Sequence, residues 1–215
     1  MGNHDFEVIR QSGLIVVLRG LDTQLSIATA EALYEVGIRV LEVTVDSPGA
    51  LETIAGMTQG LPDDVLIGAG TVLDATSAVQ AIHAGARFLF APNLNVSVIN
   101  AANRYGRIAI PGVMTPTEMV QAVEAGARAV KVFPAIALGP DYVKQVRAPL
   151  PHIPIIPTGG INEENVGRFI EAGAIAAGVG GSLLGDDPQN GRLDRVKERA
   201  ARLVQRVAEA RGELR

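Results

Sequence analysis

One five-residue pattern occurs four times in this chain and limits its possible folds more than any other feature. Glu35-Val36-Gly37-Ile38-Arg39, His83-Ala84-Gly85-Ala86-Arg87, Glu124-Ala125-Gly126-Ala127-Arg128 and Glu171-Ala172-Gly173-Ala174-Ile175 are variants of one motif. In each, a helical stretch ends at glycine and an apolar run opens directly after it. Glycine has no Cβ and takes the left-handed conformation that stops a helix, so each copy reads as helix, cap, strand. The four glycines lie 48, 41 and 47 residues apart. Tyr105-Gly106-Arg107 falls between two of them, which halves the period to roughly 20–24 residues per strand-plus-helix unit. About eight such units fit between Leu14 and the C-terminus.

In chain order the predicted strands are Leu14–Leu18, Val40–Thr44, Val65–Gly68, Arg87–Phe90, Arg107–Ile110, Arg128–Phe133, Ile153–Pro157 and Ala174–Val179. Helices begin near Thr23, Pro48, Asp74, Asn95, Thr115, Gly139 and Asn162. Thr115-Pro116-Thr117-Glu118 combines a capping box with proline at the first helical position. A last helix, about 193–209, carries Leu193, Val196, Ala200, Leu203, Val204 and Val207 on one face. Strict strand–helix alternation implies a parallel sheet, and eight nearly equal units favour a closed (β/α)8 barrel over an open doubly wound sheet. The whole chain, 1–215, is expected to be one domain, with the barrel core at about 8–184.

Composition agrees with this expectation. Hydrophobic residues make up 47% but aromatics only 4%, which suits a core of aliphatic strands and helices. The net charge of −4 gives no reason to expect nucleic acid or an anionic membrane as partner. There is no cysteine, which excludes disulfides and thiolate metal sites. His4, His83 and His152 stand in unrelated contexts, so no metal site is expected. No apolar run reaches the length of a membrane span, and the first residues show no signal pattern. The expected location is the cytoplasm.

In a barrel of this kind, chemistry sits where strands end and helices begin. Two residues in the apolar strands are out of character. Lys131 lies in Arg128-Ala129-Val130-Lys131-Val132-Phe133, a run suited to a strand buried on both faces. Burying an ammonium favours the neutral amine, which can attack a carbonyl to form a Schiff base. Glu42 lies in Val40-Leu41-Glu42-Val43-Thr44. Alternation puts Val40, Glu42 and Thr44 on one face, as it does Ala129, Lys131 and Phe133. The second and sixth strands lie opposite each other in an eight-stranded barrel, so Glu42 and Lys131 can share its central volume. A plain buried salt bridge would add little stability after desolvation, which favours a chemical role. After the seventh and eighth strands come Thr158-Gly159-Gly160 and Gly180-Gly181-Ser182. Paired glycines let backbone N–H groups approach an anion, and these loops form the usual phosphate cradle of the fold.

Arg19, Leu41-Glu42-Val43-Thr44, Gly68-Ala69-Gly70-Thr71-Val72, Ala91-Pro92-Asn93, Pro111-Gly112, Lys131-Val132-Phe133-Pro134-Ala135, Pro157-Thr158-Gly159-Gly160-Ile161 and Gly180-Gly181-Ser182 occur in this order. From about Val8 to Leu184 the chain resembles the class I 2-keto-3-deoxy-6-phosphogluconate (KDPG) / 4-hydroxy-2-oxoglutarate (KHG) aldolases. The resemblance implies a Schiff base on Lys131 and general acid–base work by Glu42. It implies a pyruvate pocket lined by Arg19, Thr71, Pro92 and Phe133, with Thr44 beside it, and a distal site at Thr158, Gly159, Gly160, Gly181 and Ser182. It also implies a keto-acid substrate, pyruvate as product, a homotrimer, and no cofactor or metal. After the Glu-Val-Thr run many members place an arginine that helps hold the anionic substrate, and here that position is Asp46. A relative acting on the galactonate-derived epimer is similar in having a short polar residue followed by Ser-Pro. The natural keto acid and its C4 configuration stay open. Two other readings also stay open: a phosphate-binding barrel isomerase or epimerase, which needs no lysine in the sixth strand, and a non-catalytic sugar-acid sensor.

Overall fold

The structure is a computed structural model and describes residues 2–213. The elements in order are α1 (Gly2–Ser12), β1 (Leu14–Leu18), α2 (Thr23–Glu35), β2 (Val40–Thr44), α3 (Ala50–Gly60), β3 (Leu66–Gly70), α4 (Ala75–His83), β4 (Phe88–Phe90), α5 (Val96–Arg104), β5 (Ile108–Ile110) and β6 (Gly112–Val113). They continue with α6 (Pro116–Glu124), β7 (Val130–Val132), a 3₁₀ turn (Ala135–Ala137), α7 (Gly139–Arg147), β8 (Ile155–Pro157), α8 (Val166–Glu171), β9 (Ala177–Val179), α9 (Gly181–Leu184) and α10 (Leu193–Arg211).

The strands form parallel ladders in two sheets, ordered β5-β4-β3-β2-β1-β9 and β6-β7-β8. Parallel neighbours need a crossover, and the helices supply it. At one junction, the N–H of Ile175 donates to Ile155 O (3.0 Å) and Thr158 bridges to Gly178. At the other, the chain runs from β5 through Pro111 into β6, and the Lys131 N–H donates to Pro111 O (2.8 Å). Alternation along the strands divides the core into two layers. Leu14, Leu41, Ile67, Leu89, Ala109, Val130, Ile155 and Ala177 face the helices. Ile15, Val40, Leu66, Phe88, Ile108, Ala129, Ile156 and Ala176 form a second cluster drawn from both sheets. The sheets therefore curl around a shared interior.

The repeated glycine motif does what its chemistry requires: Gly37, Gly85, Gly126 and Gly173 all have φ between 95° and 115°. Where the structure departs from the expected boundaries, a local reason is visible. The predicted fifth strand, Arg107–Ile110, is present as β5, and beyond Pro111, which has no N–H for a ladder, an unexpected short strand, β6, follows. The sixth is shorter than Arg128–Phe133, since its ladder to β8 begins at Val130. The helix expected at Pro48 starts at Ala50, because Gly49 turns the chain at φ 64°. Helix α1 was not expected. It carries few apolar residues, and it is held by tertiary contacts: Phe6 and Ile9 enter the inner cluster, and Arg87 forks onto the buried Asp5. Among the described residues, no helix is long and apolar enough to cross a membrane.

Candidate active site

Five of the buried polar residues, Glu42, Thr44, Ser47, Lys131 and Thr158, lie at or next to the C-terminal ends of strands. Strand register puts Glu42 beside Gly68 on β3 and Lys131 between Gly112 on β6 and Ile156 on β8. Both side chains share the inward parity of Val40 and Ala129. Glycines on neighbouring strands allow close approach, Gly70 of the Glu42 side chain and Gly112 of the Pro92 backbone. A Cβ on Gly70 would lie 1.5 Å from Glu42 Oε1, and one on Gly112 would lie 2.2 Å from the carbonyl carbon of Pro92.

Glu42 is 1% and Lys131 6% exposed, yet the two form no ion pair within 4 Å. Among the described residues, three buried side-chain polar atoms lack a hydrogen-bond partner, and two of them, Glu42 Oε2 and Thr158 Oγ1, belong to this rim. Burial pushes the Glu42 carboxyl up from 4.5 to about 7, against the opposing pull of Lys131 and Arg19 and with a small contribution from Asp46. Burial also lowers the Lys131 ammonium, with Glu42 opposing and Arg19 assisting. The Lys131 Nζ lies 4.0 Å from the centroid of the Phe90 ring and 5.0 Å from that of Phe133. The lysine therefore stands in an aromatic slot, its proton held less tightly than in water because of burial, near a carboxyl able to hold or release a proton near neutrality. This is the equipment for imine formation followed by proton transfer.

Arg19 donates to Asp46 Oδ2 (2.5 Å) and to Thr71 Oγ1 (2.7 Å). Thr44 is fully buried, and its hydroxyl shares a hydrogen bond with Ser47 (2.8 Å), so it braces the loop after β2 without facing open space. Phe133 is 36% exposed and stands over Gly159, whose φ of 92° suits glycine. Gly160, at φ 77°, lies beneath Ile136. The Ser182 hydroxyl donates to Ile161 O (2.5 Å), joining the loops after β8 and β9. Around Gly181 a Cβ would meet nothing within 4 Å. The concave surface elsewhere is different in kind. A groove of about 510 Å³ between α7 and α8, lined by Asp141, Lys144, Arg147, Arg168 and Glu171 among others, holds none of the buried polar groups.

A family model described as KDPG and KHG aldolase matches residues 6–199. The chain belongs to that family. It is an aldolase, a lyase, and the isomerase and sensor readings give way to it. The chain is 35% identical to the 2-dehydro-3-deoxy-6-phosphogalactonate aldolase of Escherichia coli K12, over 92% of this chain and 95% of that one. Among solved structures, it is similar to a KDPG aldolase from Legionella pneumophila with pyruvate captured at low pH as a covalent carbinolamine intermediate. The identity is 29% and the TM-score 0.86, covering 93% of this chain and 97% of that one. It is also similar to a chain of a cube-shaped protein cage designed by fusing symmetric oligomeric domains. There the identity is 34% and the TM-score 0.87, over 94% of this chain and 74% of that one.

Sequence reasoning passed over two residues of the aldolase's rim. Phe90 forms the closer wall of the lysine slot, and the inward alternation of Phe88 and Phe90 just before Ala91-Pro92-Asn93 was the available signal. Ser47 accepts from the Gly20 N–H (2.9 Å) and ties the first two strand ends together. Nothing in the residue pattern marked that contact.

Proposed function

We propose that the protein is a cytoplasmic, homotrimeric class I aldolase that cleaves a 2-keto-4-hydroxy acid reversibly to pyruvate and an aldehyde. Its substrate would be 2-keto-3-deoxy-6-phosphogluconate, the galactonate epimer of that acid, or 4-hydroxy-2-oxoglutarate. The reading takes the chain as one closed (β/α)8 barrel, supported by the inner cluster to which all eight strand positions contribute and by hydrogen bonds across both sheet junctions. Likeness to a chain used in a cage of fused symmetric oligomeric domains supports an oligomer. The phosphogalactonate relative, together with Asp46 in place of the more usual arginine, favours the galactonate-derived acid.

One observation carries the mechanism: a buried lysine and a buried, unpaired carboxyl share the inner face at the catalytic end of the strands. Neutral Lys131 attacks the C2 carbonyl, and the carbinolamine loses water to give an iminium. Glu42, directly or through one water, takes the proton of the C4 hydroxyl. The C3–C4 bond breaks, its electrons pass into the iminium to form an enamine, and the aldehyde departs. Glu42 then returns a proton to C3, and hydrolysis frees pyruvate and the amine. The iminium is itself the electron sink, so the scheme needs no metal. Arg19, Thr71, Pro92 and Phe133 would surround the pyruvate unit. Thr158, Gly159, Gly160, Gly181 and Ser182 would receive the distal group, with backbone N–H donors suited to phosphate.

Borohydride added with pyruvate should reduce the iminium and leave a stable adduct on Lys131, located by peptide mass spectrometry. Lys131→Arg should abolish both adduct and turnover, since a guanidinium forms no imine. An active protein that gives no adduct at Lys131, or that loses activity to a chelator, would refute the scheme.

A further inference from the structure

We propose that Asp46 is a positioning residue for the aldol reaction: with Thr71, it holds the Arg19 guanidinium at the rim as the cation that meets the keto acid's C1 carboxylate. This rests on the aldolase reading above and adds to it a residue at which the chain departs from the family's usual arginine.

The Arg19 fork is anchored from two sides, one terminal nitrogen on Asp46 Oδ2 at 2.5 Å and the other on Thr71 Oγ1 at 2.7 Å. The side chains of Arg19 and Asp46 are 54% and 51% exposed. Ion pairs in that setting add little to fold stability, so stability does not account for this one. What two anchors achieve is a fixed plane for a long side chain that would otherwise sample many rotamers. A guanidinium has five N–H donors. Two are engaged here, which leaves three for an incoming carboxylate, and a cation already oriented loses less freedom on binding it.

Two further observations are independent of the ion pair. Thr71 is the non-glycine residue with positive φ (57°) among those described, and a β-branched side chain is strained there. Its hydroxyl is the group that meets Arg19. The backbone around the pair is also tied down. Ser47, next to Asp46, accepts from the N–H of Gly20, next to Arg19, at 2.9 Å, and shares a hydrogen bond with buried Thr44. The separation of the two partners is therefore set by their loops. Gly70, next to Thr71, packs against the Glu42 carboxyl, where an added Cβ would lie 1.5 Å from Oε1, so the pair borders the reacting volume, and its two charges act on Glu42 in opposite directions.

Asp46 has one competing role, that of a latch occupying the place of the substrate carboxylate, and it predicts the opposite sign. The test is steady-state kinetics of Asp46→Ala and Asp46→Asn with a phosphorylated 2-keto-3-deoxy acid and with 4-hydroxy-2-oxoglutarate. The pyruvate concentration for half-maximal borohydride trapping is measured alongside. Asp46→Ala should raise both KM values and the pyruvate half-saturation by roughly tenfold, with kcat within about twofold. Asp46→Asn, which keeps an acceptor oxygen, should show a smaller rise. An unchanged pyruvate half-saturation in Asp46→Ala overturns the proposal, and a lower one overturns it in favour of the latch. Failure of the wild-type protein to trap pyruvate would instead overturn the aldolase reading, and this proposal with it.

Discussion

A carboxyl that is 1% exposed and has one oxygen without a partner is costly for a fold to keep. Its proton affinity makes that cost testable. The folded-state value of about 7 lies above the ordinary 4.5, so the native protein binds more protons than the unfolded chain between these pH values. Stability therefore falls as pH rises through that window, and the full penalty is present above about pH 7. Each tenfold change in proton affinity is worth ~1.4 kcal/mol, which puts the penalty on the order of 3 kcal/mol. Glu42→Gln removes it. Denaturant titrations at pH 5 and pH 8 should show the variant gaining on wild type at the higher pH, with turnover down ~10²–10⁴-fold while borohydride still traps pyruvate. A stability difference independent of pH would mean that Glu42 is not held protonated by burial. Glu42 and Lys131 were legible in the sequence because a charged residue inside a β-branched run has few innocent explanations. The Arg19–Asp46 contact and the backbone of Thr71 were not, since each depends on how three separate loops meet.

At the scale of elements, the helix-stopping glycines marked the structural rim of the fold from sequence alone, because a left-handed cap is a local requirement. Strand lengths were less legible: β7 is three residues long where six were expected, since a ladder ends where its neighbour ends. Helix α1 was missed for a related reason, its few apolar residues giving no periodic face until the sheets are there to receive them. The glycine pairs after β8 and β9 divide into two kinds. Gly159 and Gly160 have positive φ and close neighbours, so substituting them would disturb the backbone as well as any ligand. Gly181 has neither constraint. Gly181→Glu therefore adds charge to the proposed distal site at a position with room for a Cβ and no positive-φ strain. If that site receives phosphate, KM for a phosphorylated keto acid should rise at least about tenfold, with KM for 4-hydroxy-2-oxoglutarate nearly unchanged. Equal effects on both would assign the loop a structural role.

The proposed mechanism places the chemistry at the C-terminal ends of the strands and leaves their other end to stability. At the N-terminal end, Phe6 and Ile9 of α1 fill the inner cluster, Arg128 lies 5.0 Å from the centroid of the Phe6 ring, and Arg87 pairs with buried Asp5. Arg211, near the other end of the chain, donates to the carbonyls of Arg10 (2.6 Å), Gln11 (2.8 Å) and Ile175 (2.9 Å). Helix α10, which packs on α2 and α8, is thereby tied to the end of α1 and the entry to β9. Ile9 is 0% exposed, so truncating it leaves a cavity that the surrounding strands cannot readily close. Ile9→Ala should destabilise the protein by ~2–5 kcal/mol, a fall in Tm of about 5–15 °C for a chain of this size. Well below the transition, kcat and the pyruvate half-saturation for trapping should stay within about twofold of wild type, because α1 is anchored at the opposite end of the strands, through Arg87 and Arg128. A variant that kept its Tm would show that α1 does not seal the interior. One that lost pyruvate trapping while still folded would show that the two ends are coupled, with the inner cluster setting the position of Lys131 as well as the stability beneath it.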